Sequence, residues 1–377
     1  FGASLIWLAI LMIYKMEGDT SLAVHAFREN LLAYMELLLF IMVSMSYLNA
    51  MEDMAVFDVL RVRLVAFKLG YRPLFWITGI LVFLISSVIN GLTAGLLMGA
   101  VVVAVGKNSP RFVSLACINI VVACNAGGTF SPLGGISTLF VWQKGMLQFE
   151  QFLTLFVPCL VNFLIPALIM HFAVPKERPD VEVHAVHMAR GARRVVALFA
   201  VTILLAVILN MSMGLPPAAG MMAGLSLLQF FSYYLMKTEP EASAVERLSK
   251  VRQVKIEVSN RDTREKSFAI FEKIGRLEWD TLLFFYGAMV GIGGLGFIGY
   301  LDAVSNWLYG QHSPTVANIL IGLSSAFIDN GTLMFAVLTM KPPIPEGQWL
   351  LVTLTLGVGG SLLAIGSAPG IGLLGLS

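Results

Sequence analysis

Charge is scarce in this 377-residue chain. Asp, Glu, Lys and Arg make up 13% of it, about half the share usual for soluble domains. A soluble domain of this length would have a large core and no adequate polar coat, which excludes an ordinary cytosolic enzyme and a disordered chain. Cysteine is scarce as well: Cys117, Cys124 and Cys159 all lie in apolar stretches, so no disulfide scaffold is expected. The net charge is only +2, and the basic residues cluster in loops rather than along a groove, so nucleic acid is not an expected partner. No P-loop, HExxH pair or nucleophile elbow occurs, so the sequence supports neither an ATP-driven pump nor a protease, and no cofactor is expected. Gly291-Ile292-Gly293-Gly294-Leu295-Gly296 spells a dinucleotide fingerprint, but no strand precedes it, and close helix packing explains it better. Strand alternation is also absent, which excludes a membrane β-barrel.

Apolar sequence is abundant. Apolar residues make 57% of the chain, and its 35 glycines raise the share to about two thirds, against roughly 45–50% in soluble domains with glycine included. The apolar runs fall near 1–14, 31–48, 74–105, 112–142, 152–174, 194–213, 215–236, 280–300, 314–340 and 348–377. Backbone polar groups in lipid must be satisfied internally, so these runs are expected to be helices of an all-α polytopic membrane protein. Residues 49–72 mix charged and apolar side chains and predict an amphipathic helix at the membrane surface. Residues 302–312 predict a second, with Trp307 and Tyr309 as interface anchors. Phe1 opens within an apolar run with no basic leader, and Ser377 ends the chain while it is still apolar, so flanking sequence is expected beyond both ends.

The run 74–105 would be about 48 Å long as one helix at ~1.5 Å per residue, well beyond a hydrocarbon core of ~30 Å. The polar patch from Ser86 to Thr93 splits it into two halves, each too short to cross, which predicts a re-entrant hairpin. The run 314–340 is broken in the same way between Ser324 and Thr332. With two hairpins, 21 of the 25 Lys and Arg fall on one side, and the positive-inside rule makes that side cytoplasmic, including 175–193 and 237–279.

The two patches repeat each other. Ser86, Asn90 and Thr93 correspond to Ser325, Asp329 and Thr332 at an offset of 239 residues, and the run from Asn125 through Gly135 corresponds to the run through Ser361 and Ser367 at an offset of 232. Because the hairpins would enter from opposite sides, the pattern predicts an inverted repeat with alternating access.

Asp329 is the foremost candidate, as a proton and cation carboxylate in mid-run, where an ionised group costs on the order of 2.5–3.5 kcal/mol. A carboxyl that takes either a proton or a cation is the smallest device for exchange. Asp280, which opens a run, is the second such carboxylate and also suits helix capping. Ser86, Asn90, Thr93, Asn125, Ser137, Thr138, Ser325, Asn330, Thr332, Ser361 and Ser367 supply hard oxygens for a cation such as Na+, with Asp329, Asn330 and Asn125 as its leading ligands. Glu36, a turn and a half into 31–48, suits a snorkelling surface role. His184 and His187 lack further ligands for a metal pair.

At these patches the sequence resembles the NhaD-type sodium/proton antiporters of the ion transporter superfamily. The likeness runs through Tyr71-Arg72-Pro73-Leu74-Phe75-Trp76, Asn125-Ala126-Gly127-Gly128, Val141-Trp142-Gln143-Lys144-Gly145, Leu277-Glu278-Trp279-Asp280 and Gly359-Gly360-Ser361. It implies two re-entrant hairpins, two unwound transmembrane helices, a scaffold that dimerises, and exchange of sodium or lithium for protons by elevator-like motion in a lipid membrane. Carried over residue by residue, it implies roles for Ser86, Asn125, Thr138, Asp280, Ser325, Asp329, Asn330 and Ser367, with Glu36 a weaker case. The chain departs from the family pattern where Asn90 and Gly135 replace two carboxylates and Ala364 replaces a hydroxyl. Two fewer negative charges weaken cation binding and alter how many protons are exchanged. An anion (dicarboxylate-like) transporter and a non-transporting paralogue are the alternatives. The expected divisions are scaffold and interfacial helices (1–73), a first transport element (74–151), scaffold helices (152–236), a cytoplasmic linker (237–279), a scaffold helix with an interfacial helix (280–313) and a second transport element (314–377).

Overall fold

The computed structural model describes residues 2–17, 20–67, 69–177, 187–238 and 275–375. Most of the expected linker 237–279, the stretch 178–186 and His184 therefore lie outside the described residues. Every regular element described is a helix. Five of them are long and apolar enough to cross a membrane: Ser21–Asp53, Pro110–Thr129, Phe149–His171, Ala192–Met213 and Trp279–Phe297.

In chain order these are α1 (Gly2–Glu17), α2 (Ser21–Asp53), α3 (Val56–Ala66), α4 (Tyr71–Ile85), α5 (Gly91–Val105), α6 (Pro110–Thr129) and α7 (Ile136–Gln143). Then come α8 (Phe149–His171), α9 (Ala192–Met213), α10 (Pro217–Thr238), α11 (Trp279–Phe297), α12 (Tyr300–Gln311), α13 (Pro314–Ser324), α14 (Asn330–Met340), α15 (Glu346–Gly359) and α16 (Ala368–Leu374).

The first corrections come from α2. The helix starts ten residues before the apolar run and ends five after it, because charged termini such as Arg28 and Glu52 extend a helix without adding hydropathy. Glu36 therefore stands mid-helix and half-buried, not near a helix end. The surface helix expected over 49–72 is shorter, since α2 continues to Asp53 and α3 covers only Val56–Ala66.

The helices gather into two compact units, one of residues 1–34, 60–185 and 283–377, the other of 35–59 and 186–282. In the second unit α9 packs along α10. A Cβ at Gly224 would strike Thr202, and the Tyr47 hydroxyl donates to the Gly224 carbonyl at 2.7 Å beside Thr202 Oγ1 at 2.8 Å. The core of the first unit is aromatic. Phe83 stacks on Phe163 with ring centres 5.5 Å apart and lies 5.2 Å from Phe130, which clamps α4 and α6 to α8. Here α4 and α5 pack on α6, and α13 and α14 pack on α15. The partners then cross over: α5 lies against α16, and α14 against α7.

Candidate functional site

The site begins with two interrupted helices. α4 stops where Ser86 Oγ turns back to the Phe83 carbonyl at 3.3 Å and Ser87 Oγ to that of Leu84 at 2.8 Å. These bonds occupy carbonyls that the helix end leaves open. Asn90 then opens α5, its Oδ1 accepting the Leu92 amide at 3.2 Å. The second break follows the same plan. Ser324 Oγ returns to the Leu320 carbonyl at 2.9 Å and Ser325 Oγ to that of Gly322 at 2.7 Å. Asp329 opens α14, its Oδ2 accepting the Thr332 amide at 2.9 Å and the Thr332 hydroxyl at 3.1 Å. Side-chain oxygens at this position satisfy open helix amides, and a carboxylate gains from the positive helix end.

Two further breaks face these. α6 ends at Thr129, shortly before Pro132, which cannot donate to a helix, and α7 resumes at Ile136. α15 ends at Gly359, and α16 resumes at Ala368 with Pro369 in its first turn. Glycine is required at the crossing points. A Cβ at Gly127 would collide with the Phe83 carbonyl and the Ser86 hydroxyl, and one at Gly359 with the Gly322 carbonyl and the Ser325 hydroxyl. Gly134 meets the Ser86 carbonyl as Gly366 meets that of Ala326.

A cavity of about 70 Å³ lies among the four breaks, room for a few waters. It is far smaller than the ~300–1,000 Å³ usual for organic-ligand pockets. Its lining is largely made of pairs at the two sequence offsets: Asn90 with Asp329, Gly91 with Asn330, Asn125 with Gly357, Gly135 with Ser367, and Ser137 with Pro369. Asn125 Nδ2 donates to Ser367 Oγ at 3.1 Å and so ties one half to the other.

Of the residues singled out from sequence, Asp329, Asn90, Asn125, Asn330, Ser137 and Ser367 line this cavity. Ser86, Thr93, Thr138, Ser325, Thr332 and Ser361 do not. Most of these hydroxyls are spent on nearby acceptors: Thr138 on the Gly135 carbonyl at 2.8 Å, Ser361 on that of Val358 at 2.6 Å, and Ser325 additionally on that of Leu356 at 3.2 Å. Asp280 and Glu36 belong to the second unit. The lining also includes Cys124 and Thr129, which the sequence alone does not single out as site residues. Their signal was their place in the α6 run, one residue before Asn125 and one after Gly128.

Among the described residues of the lining, Asp329 is the only acidic one, and no Lys, Arg or His joins it. The lining glycines contribute backbone alone, so the remaining polar surface is amides, hydroxyls, peptide groups and the Cys124 thiol, which donates to the Gly91 carbonyl. Such a set offers neutral oxygens and one formal negative charge. It can hold a proton or a small monovalent cation, and it has no countercharge for an anion.

Residues 2–357 match the CitMHS family, described as citrate transporters. The chain is 48% identical over 374 residues to the Na(+)/H(+) antiporter NhaD of Vibrio parahaemolyticus, which covers 99% of this chain and 90% of that protein. It is also 48% identical over 374 residues to the protein of the same name from Alkalimonas amylolytica, covering 77% of it. Sodium/proton antiporter 1 of Arabidopsis thaliana is more distant, 27% identical over 316 residues, covering 81% of this chain and 50% of that one.

Proposed function

We propose that this chain, which belongs to the CitMHS family and within it to the NhaD sodium/proton antiporters, exchanges sodium or lithium for protons as a multi-pass membrane protein. The observation that carries the reading is the position of Asp329, the one carboxylate among the described residues lining a small cavity at four helix breaks.

Exchange follows from the charge of that cavity. With a proton on Asp329 the carboxyl is neutral. With a monovalent cation bound the carboxylate and the ion again sum to zero. The state with neither leaves a partly buried charge uncompensated, the costly condition in a low-dielectric setting. Cation entry therefore expels the proton, and proton entry expels the cation. Asn125, Asn330, Ser137, Ser367 and Asn90 supply neutral oxygens around the ion. Asp280, at the start of α11, is a second carboxylate for the proton route.

Alternating access would come from an inverted repeat, with α4–α5 and α13–α14 as re-entrant hairpins entering from opposite sides. Their helices hold 15 and 11 residues, about 22 and 16 Å at ~1.5 Å per residue, short of a ~30 Å core. The crossed packing of α5 on α16 and α14 on α7 supports this. Residues 74–151 and 314–377 are then the moving transport elements. Residues 1–73, 152–236 and 280–313 form the scaffold that pairs in a homodimer, and the stretches 175–193 and 237–279 are cytoplasmic. A dicarboxylate is disfavoured by the small cavity and by the absence of a cationic side chain among the described lining residues.

The test is proton release driven by sodium or lithium in proteoliposomes with the purified chain. Wild type should alkalinise or acidify the lumen according to the imposed sodium gradient, and Asp329→Asn should not. Undiminished exchange in Asp329→Asn overturns the assignment. Uptake of labelled succinate without cation-driven proton movement would turn the reading to the anion alternative.

A further inference from the structure

We propose that the Thr129 hydroxyl is a direct ligand of the transported cation, and that residue 357 is glycine because that hydroxyl occupies its side-chain space. This rests on the exchange reading and adds a residue to the same site.

Thr129 is 2% exposed, closes α6 and lines the cavity beside Asn125 and Gly128. Its Oγ1 donates to the Asn125 carbonyl at 2.6 Å. A hydroxyl binds a cation through its lone pairs, so its proton must be held elsewhere. The Asn125 carbonyl takes that proton and leaves the Thr129 oxygen only acceptor capacity. Ser86, Thr138, Ser325 and Ser361 make comparable bonds, but none of them lines the cavity.

Gly357 gives the second, independent observation. It is the repeat mate of Asn125 and lines the cavity on α15. A Cβ placed there would collide with Oγ1, Cβ and Cγ2 of Thr129. One half of the repeat thus presents a carboxamide at this position, while the other presents nothing and admits a hydroxyl from across the crossing. The repeat mate of Thr129 is Ser361, which bonds within its own turn and lies off the cavity. The ligand set is therefore asymmetric, with both Asn125 and Thr129 drawn from α6.

The experiment measures sodium-driven proton flux in proteoliposomes, with sodium-22 binding to the purified full chain as a second readout. Thr129→Val keeps the shape and deletes the hydroxyl. It should raise the half-saturating sodium concentration about tenfold or more, the weight of one polar contact to a charged group, while the maximal rate stays within about twofold. Thr129→Ser keeps the oxygen and should stay within about threefold of wild type. Gly357→Ala should raise half-saturation in the same way by pushing Thr129 aside, and adding Thr129→Val to it should cost little more. Wild-type half-saturation in Thr129→Val overturns the proposal and leaves the exchange reading standing. Equal losses in the Val and Ser variants also overturn it, by showing packing alone. If Thr129→Val does not fold, sodium-22 binding by Thr129→Ala decides on the same terms. Absence of sodium-driven proton flux in wild type would instead defeat the exchange reading itself.

Discussion

Asp329 and Asn90 each cap a helix with a side-chain oxygen, one from a carboxyl and one from a carboxamide: Asp329 Oδ2 accepts the Thr332 amide three residues on at 2.9 Å, and Asn90 Oδ1 accepts the Leu92 amide two residues on at 3.2 Å. Both side chains line one cavity. The capping role is shared, and at this position the two halves differ by a carboxyl in one and a carboxamide in the other.

That equivalence makes Asn90→Asp a clean change. Asp caps a helix as well as Asn does, so the fold should tolerate it. A second carboxylate in the same cavity should lower half-saturating sodium several-fold and let more than one proton leave per cation. The measurement is the null point of flux against imposed sodium, pH and voltage gradients. Wild-type exchange should balance near one proton per cation with little dependence on voltage, and the variant should become voltage-dependent. An unchanged null point would disconnect position 90 from the transported charge.

The glycine contacts predict a sharp contrast in stability. Gly127→Ala and Gly359→Ala each drive a methyl group into a backbone carbonyl of the helix packed across it, at a cost of about 1–3 kcal/mol for overpacking. Gly310→Ala, in α12 with nothing near its Cβ position, should be neutral or gain up to about 1 kcal/mol from helix propensity. Thermal unfolding in detergent would rank the three. Equal midpoints would mean that the crossings are looser than their geometry.

Tyr309 gives a pH prediction. Burial pushes its phenol well above the ordinary tyrosine range, and its hydroxyl donates to Asn318 Oδ1 at 2.9 Å. Because the folded pKa is raised, the proton is held more tightly in the folded state. The resulting stability is complete below the unfolded value of about 10 and is lost only as pH climbs through and beyond it. Tyr309→Phe should cost about 1 kcal/mol at neutral pH, and unfolding midpoints of variant and wild type should converge in strong alkali. A gap that persists there would assign the effect to packing.

The helix breaks were legible in the sequence because lipid leaves few ways to accommodate Ser86-Ser87 or Asp329-Asn330 within an apolar run. The pairing of Asn90 with Asp329 was legible because the two breaks share one spacing. The extent of α2 was not, since hydropathy stops at Arg28 and Glu29 whereas a helix continues through them. Nor could the sequence sort the hydroxyls. Ser325 and Thr129 look alike in a polar patch and both donate to nearby carbonyls, yet Thr129 lies in the cavity lining and Ser325 does not.

The sequence by itself determined that this chain is an all-helical membrane protein whose polar breaks recur at matching spacings with Asp329 among them, because composition and spacing are properties of the chain alone. Only the tertiary structure decided which oxygens share one cavity. That depends on where α6 and α15 cross and on which glycines let their neighbours' carbonyls and hydroxyls approach, and no one-dimensional pattern records it.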